Sequence, residues 1–116
     1  MKLLRQWQYK YIERCLYDYR RLQEKLSSGA IVDTEAKIIM SIERALEFFK
    51  GTMHEQMMRE YYFNVDHYRS YLSNQGHYSW VCESVLHTEQ PNGYVIRREI
   101  VYKVAMNAYL FGLFTN

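Results

Sequence analysis

Five residues, Asn92, Tyr94, Arg97, Arg98 and Lys103, have the types and spacing to meet nucleic acid. An arginine can hold guanine O6 and N7 through two parallel N–H groups, and asparagine, tyrosine or lysine can position on phosphate. Such contacts need a helix to present them. Residues 94–114 supply the spacing, with Ile96, Ile100, Val104, Ala108 and Phe111 recurring every three to four positions. Arg98, Glu99, Tyr102, Met106 and Tyr109 then face away from that stripe, and Arg97 and Lys103 lie toward its flanks. Residues 79–86 read as a shorter helix before it, with Trp80, Val81, Val85 and Leu86 on one face. Between the two, residues 87–93 break the pattern, because Pro91 lacks an N–H and Asn92 and Gly93 tolerate turn geometry. Two helices on a tight connection, the second entering with an arginine pair, fit a helix-turn-helix DNA reader. On residue chemistry alone a plain C-terminal packing helix with a solvated arginine pair fits as well.

No other chemistry gathers. The glycines, Gly29, Gly51, Gly76, Gly93 and Gly112, are too far apart for a dinucleotide or phosphate-loop fingerprint. His77, Cys82 and His87 are five residues apart, which does not put them on one helical face, and His54 and His67 lie elsewhere. Cys15 and Cys82 lack the spacing of a disulfide framework or a zinc site and sit in apolar stretches. No nucleophile–base pair or carboxylate pair stands out from ordinary helix charge patterning. The expectation is a protein that is not an enzyme, with no catalytic residue, no metal and no cofactor.

The elements that must position the arginines read as five to six helices and no strand. Only one proline and five glycines in 116 residues argue for few loops. A first helix spans about residues 3–26, with Trp7, Tyr11, Cys15, Tyr19, Leu22 and Leu26 at helical spacing. Ser27-Ser28-Gly29 ends it, and Gly29 can take a left-handed cap. Asp33 is the expected N-cap of a second helix whose stripe is Ile38, Ile39, Ile42, Ala45, Leu46 and Phe49. These two are expected to pair as an antiparallel hairpin over residues 1–50. Thr52-Met53-His54-Glu55 matches a capping box opening a third helix to about Phe63. Residues 64–77 are the least regular, with a short helix over 65–72 and a turn over 73–76. The whole is read as one all-α domain, 1–116, with residues 52–116 holding the helix-turn-helix.

Charge distribution complicates the DNA reading. Residues 1–28 hold seven Lys/Arg against three Asp/Glu, residues 29–64 four against six, and residues 65–116 four of each. The basic excess thus lies away from the candidate reading helix, where a DNA footprint is expected. Tyrosine is abundant, 12 of 116 residues. Core and boundary packing is the plainer explanation, and a sticky tyrosine-rich surface that binds a host protein is the alternative function. No stretch runs apolar for the ~20 residues of a membrane span, and the first residues turn polar too early for a signal peptide. A cytoplasmic location follows. The apolar end Tyr109-Leu110-Phe111-Gly112-Leu113-Phe114 either packs back on the N-terminal hairpin or forms a homodimer seam.

Four segments in order carry a family likeness: Tyr17-Asp18-Tyr19-Arg20-Arg21-Leu22, Ile42-Glu43-Arg44-Ala45-Leu46, Met57-Met58-Arg59-Glu60-Tyr61-Tyr62-Phe63, and the stretch from Trp80 to Tyr109. On these the chain resembles the ArpU/RinA-like late-transcription regulators encoded by phages and prophages of Gram-positive bacteria. The resemblance implies a helix-turn-helix like sigma-factor region four, binding promoter double-stranded DNA in the bacterial host cell. It implies activation of late phage genes through contact with RNA polymerase. By position, the recognition helix begins at Gly93, Tyr94, Arg97 and Arg98, with Lys103 on phosphate. The chain departs from that family in having Pro91-Asn92-Gly93 where a Ser or Thr N-cap is usual, and in the length of its 64–77 stretch.

Overall fold

Tyr17 and Tyr19 flank the first departure from a continuous N-terminal helix. The computed structural model, which describes residues 4–64 and 74–114, breaks that helix at Asp18 into α1 (Gln6–Tyr17) and α2 (Tyr19–Ser28). Asp18 has φ −90° and ψ 4°, so the chain bends there. The bend lets α1 and α2 serve different neighbours: α2 packs on the next helix, and α1 turns toward the last one. The expected hairpin of the first two segments is therefore made by α2 alone. Gly29, at φ 78°, supplies the left-handed cap that its position suggests.

Helix α3 (Asp33–Phe48) starts one residue earlier than expected. Val32 is its N-cap, and Asp33 opens the first turn. The Glu35 carboxylate accepts the Val32 N–H at 3.3 Å and also receives Lys25 Nζ at 2.7 Å, tying α3 to the end of α2. Ile38, Ile39, Ile42, Ala45 and Phe49 are buried as the stripe requires, and Leu46 is half-buried. Thr52 caps α4 (Met53–Met57) by accepting the His54 N–H at 3.2 Å. Glu55 reaches the Gly51 N–H instead of that of Thr52.

The next segment, Met58–Tyr62, runs on from α4 as a π-helical turn. Its widened spacing accompanies the burial of two adjacent residues, Tyr61 and Tyr62, which both lie in the core. The helix expected over 65–72 lies outside the described residues. Helix α5 (Asn74–Trp80) replaces the turn expected at 74–76 and continues as a second π-helical turn, Val81–Val85.

Helix α6 (Gln90–Leu110) is the centre of the fold, packing against α1, α3, α4 and the turn after α5. It begins at Gln90, not Tyr94. Pro91 sits in its first turn, where the missing N–H costs nothing because that donor has no helical acceptor. Its buried face is broader than one stripe: Gly93, Val101, Ala105 and Asn107 join Ile96, Ile100, Val104 and Ala108. Asn107 Nδ2 donates to the Ser41 carbonyl at 3.0 Å, a buried polar pin between α6 and α3. Beyond α6 the chain folds back. The Phe114 ring meets Trp7 and Tyr11, each at 6.1 Å between centroids. The C-terminal end thus packs on α1, while Tyr109 and Leu110 stay exposed.

The described residues are all-helical, six helices without a strand, and their buried apolar side chains form one cluster. Among them no helix is long and apolar enough to cross a membrane.

Candidate nucleic-acid interface

The α5–α6 connection is four residues, 86–89, with His87 at φ 52°. Five contacts hold the two helices together around it. Tyr78 donates its hydroxyl to the Gln90 carbonyl at 2.6 Å. Gln90 Nε2 donates to Ser79 Oγ, and Gln75 Nε2 donates to Gln90 Oε1, each at 2.9 Å. The Tyr78 and Tyr94 rings stack at 4.7 Å. Gly93 permits the closest approach: a Cβ there would stand 2.6 Å from the Cys82 sulfur and closer still to the Tyr78 hydroxyl. Gly93 therefore acts through close helix–helix contact inside α6, not as the turn residue its sequence neighbours suggest.

This clamp fixes which residues face solvent. Asn92, Tyr94, Val95 and Arg98 are exposed on the first turns of α6. Arg98 makes no ion pair among the described residues. Asn92 places one amide hydrogen on Thr88 Oγ1 at 2.9 Å, which braces the connection and leaves its second hydrogen and its oxygen. Tyr94 is 49% exposed beyond its stack on Tyr78.

Arg97 differs sharply from its neighbour. Its side chain is only 16% exposed and its Nη2 donates to Glu13 Oε2 on α1 at 2.7 Å. Its Nε donates to the Tyr62 hydroxyl at 3.4 Å, and Tyr62 itself donates to Glu13 at 2.7 Å. Four rings enclose the guanidinium: Tyr61 at 4.7 Å, Tyr78 at 5.1 Å, Tyr94 at 5.6 Å and Tyr62 at 6.0 Å from their centroids. A planar cation with five donors suits such a site, where rings meet its face and a carboxylate its edge. Burial raises the Tyr62 phenol well above the ordinary tyrosine range, against the pull of Arg97. Tyr17, hydrogen-bonded to the Tyr61 hydroxyl, is raised by burial and by that neighbour. The cage is thus neutral tyrosines around one ion pair.

Lys103 is turned to the opposite flank of α6, its Nζ 4.1 Å from the centre of the Phe48 ring on α3. Of the five residues nominated by type and spacing, Asn92, Tyr94 and Arg98 are exposed, Tyr94 and Arg98 one turn apart on one face of α6 and Asn92 on another side of its first turn. Arg97 is engaged inside and Lys103 stands apart.

Glu13 and the cage tyrosines are the residues that spacing could not reveal. Glu13 and Arg97 are separated by 84 positions, and nothing local marks them as partners. Tyr61 and Tyr62 were visible only as an aromatic pair. Of the ten described tyrosines only Tyr94 and Tyr109 are exposed, so the aromatic abundance serves mainly packing. Burial pushes the Cys15 thiol up to about 11, as befits a packing residue. No group of three metal-ligating side chains occurs among the described residues. No family model, curated protein or solved structure matches the chain.

Proposed function

We propose that the chain is a non-enzymatic, sequence-selective double-stranded DNA-binding protein that reads the major groove with the first turns of α6. The observation that carries this reading is the Gly93 clamp, which joins α5 to α6 over four residues and leaves Tyr94 and Arg98 exposed one turn apart on the same face, with Asn92 exposed in the first turn. A major groove about 12 Å wide admits one helix, and a helix lying in it brings its N-terminal side chains to base edges. In this role Arg98 makes the base contact, Asn92 and Tyr94 set the position, and the positive end of α6 approaches phosphate. Arg97 holds the helix in place and touches no DNA. The likeness to phage late-transcription regulators supports promoter DNA as the target and RNA polymerase as a further partner, in the cytoplasm of a bacterial host.

A second reading rests on a different part of the same helix. Met106, Tyr109 and Leu110 are exposed toward the end of α6, Leu110 by 69%. Such a surface suits a protein partner, a second copy of the chain included. Anisotropy of a labelled promoter-containing duplex separates the two readings. The DNA reading expects Arg98→Ala to weaken binding at least tenfold and Leu110→Ser to leave it unchanged. Equal indifference to both substitutions contradicts it.

A further inference from the structure

The outward face of α6 is short of positive charge for a DNA reader. Arg98 is its one basic residue, and Glu83 and Glu89 are exposed nearby on the turn after α5 and at the N-cap of α6. Phosphate neutralisation supplies most of the non-specific affinity of such proteins, so other cations have to meet the backbone.

The basic excess of residues 1–28 is carried largely by α1 and α2, and ion pairing leaves its net size unchanged, because Arg97 takes one of the segment's acids and Glu35 one of its bases. Glu13 is taken by Arg97, Asp18 by Arg21 at 2.9 Å, and Glu35 by Lys25. Arg5, Lys10, Arg14 and Arg20 remain exposed and without an ion pair among the described residues, with Glu24 the exposed acid of these two helices. Lys10 and Arg14 are one helical turn apart, so they share a face of α1 about 5–6 Å apart at Cβ. That face borders the α6 seam. Tyr9 meets Tyr102 at 6.5 Å between ring centroids and Glu13 meets Arg97, so α1 runs antiparallel to α6. Arg14 therefore lies level with Arg97, and Lys10 one turn further on.

We infer that Lys10 and Arg14 form a second, phosphate-binding edge that grips the DNA backbone beside the groove entered by α6. Packed helices stand 8–10 Å apart, so with α6 in a groove about 12 Å wide the outer edge of α1 lies over its phosphate wall. The inference rests on the DNA reading given above. It also accounts for a basic excess that lies far from the reading helix in sequence: the fold brings the two side by side through Glu13 and Arg97.

The test uses the full chain and a fluorescein-labelled random-sequence duplex of about three helical turns, titrated across a series of sodium chloride concentrations. Removing both cations in Lys10→Ala/Arg14→Ala is expected to lower the slope of log affinity against log salt by close to two contacts, about 0.9 each. Preference among duplex sequences is expected to stay unchanged. Charge reversal, Lys10→Glu/Arg14→Glu, is expected to weaken binding further, with circular dichroism reporting an unaltered helix content. Arg20→Ala, a basic residue of α2 off this edge, is the control and should leave the slope alone. A double variant with the wild-type slope, or an equal loss from Arg20→Ala, overturns the inference while the DNA reading stands. Absence of any duplex binding by the wild-type chain at low salt overturns both.

Discussion

Arg97 of α6 and Glu13 of α1 meet at 2.7 Å across 84 positions of sequence, inside a ring of four tyrosines. Their side chains are 16% and 18% exposed, so water screens the pair weakly. The pair fixes how far α6 is rotated and thereby which neighbour, Arg98, is offered to solvent. Removing one member strands the other in a largely apolar site. Arg97→Ala is expected to destabilise the chain by about 3 kcal/mol, read as a lowered urea midpoint with an unchanged slope. Arg97→Lys should recover little, because an ammonium lacks the planar fork and the stacking face. A stability unchanged by Arg97→Ala would show that the cage is not holding α6.

Arg98→Ala is expected to do the reverse. An exposed residue without an ion pair contributes little to folding, so stability should stay within about 0.5 kcal/mol. DNA affinity should fall, and discrimination at one base pair should relax by about 1–3 kcal/mol. The adjacent arginines thus separate folding from binding, which a joint substitution of both cannot do.

Much of this is legible in sequence and three parts are not. The stripe Ile96, Ile100, Val104 and Ala108 and the Gly29 cap follow from local periodicity and backbone preference, which the tertiary fold respects. The start of α6 is hidden in the sequence because Pro91-Asn92-Gly93 has the composition of a turn. Proline is equally at home in a first helical turn, and Gly93 answers to Tyr78 and Cys82, which no local rule detects. The bend at Asp18 leaves no mark in the sequence because the apolar spacing of residues 3–26 runs through it. The inward turn of Arg97 depends on Glu13, Tyr61 and Tyr62, a constellation that only the assembled helices create.

Gly93→Ala should test the clamp directly. Alanine gains about 1 kcal/mol of helix propensity, but its Cβ meets the buried Tyr78 hydroxyl, which is held by the Gln90 carbonyl, and the Cys82 sulfur. Overpacking of this kind costs about 1–3 kcal/mol, so a net loss of stability and of DNA affinity is expected. A stabilised variant with full binding would mean that the two helices do not depend on this approach.

Alkaline titration reports on the cage. Tyr17 and Tyr62 have folded values raised above the ordinary 10.0, chiefly by burial, so the folded chain holds their protons more tightly than the unfolded chain. Their contribution to stability is complete below pH 10 and is lost as pH rises above it toward the folded values. Thermal midpoints should therefore fall progressively above pH 10. Ultraviolet absorbance should show part of the tyrosine complement ionising only together with unfolding. Full ionisation of every tyrosine before the helices melt would argue against a closed cage.

Selection from a pool of random-sequence duplexes by the wild-type chain at moderate salt tests the central claim most directly. The account predicts enrichment of a short motif, weakened or lost when Arg98→Ala replaces the wild type in the same selection. Retention of no duplex even at low salt, with the chain fully helical, would contradict it and turn attention to the exposed Met106, Tyr109 and Leu110 of α6 as a protein-binding face.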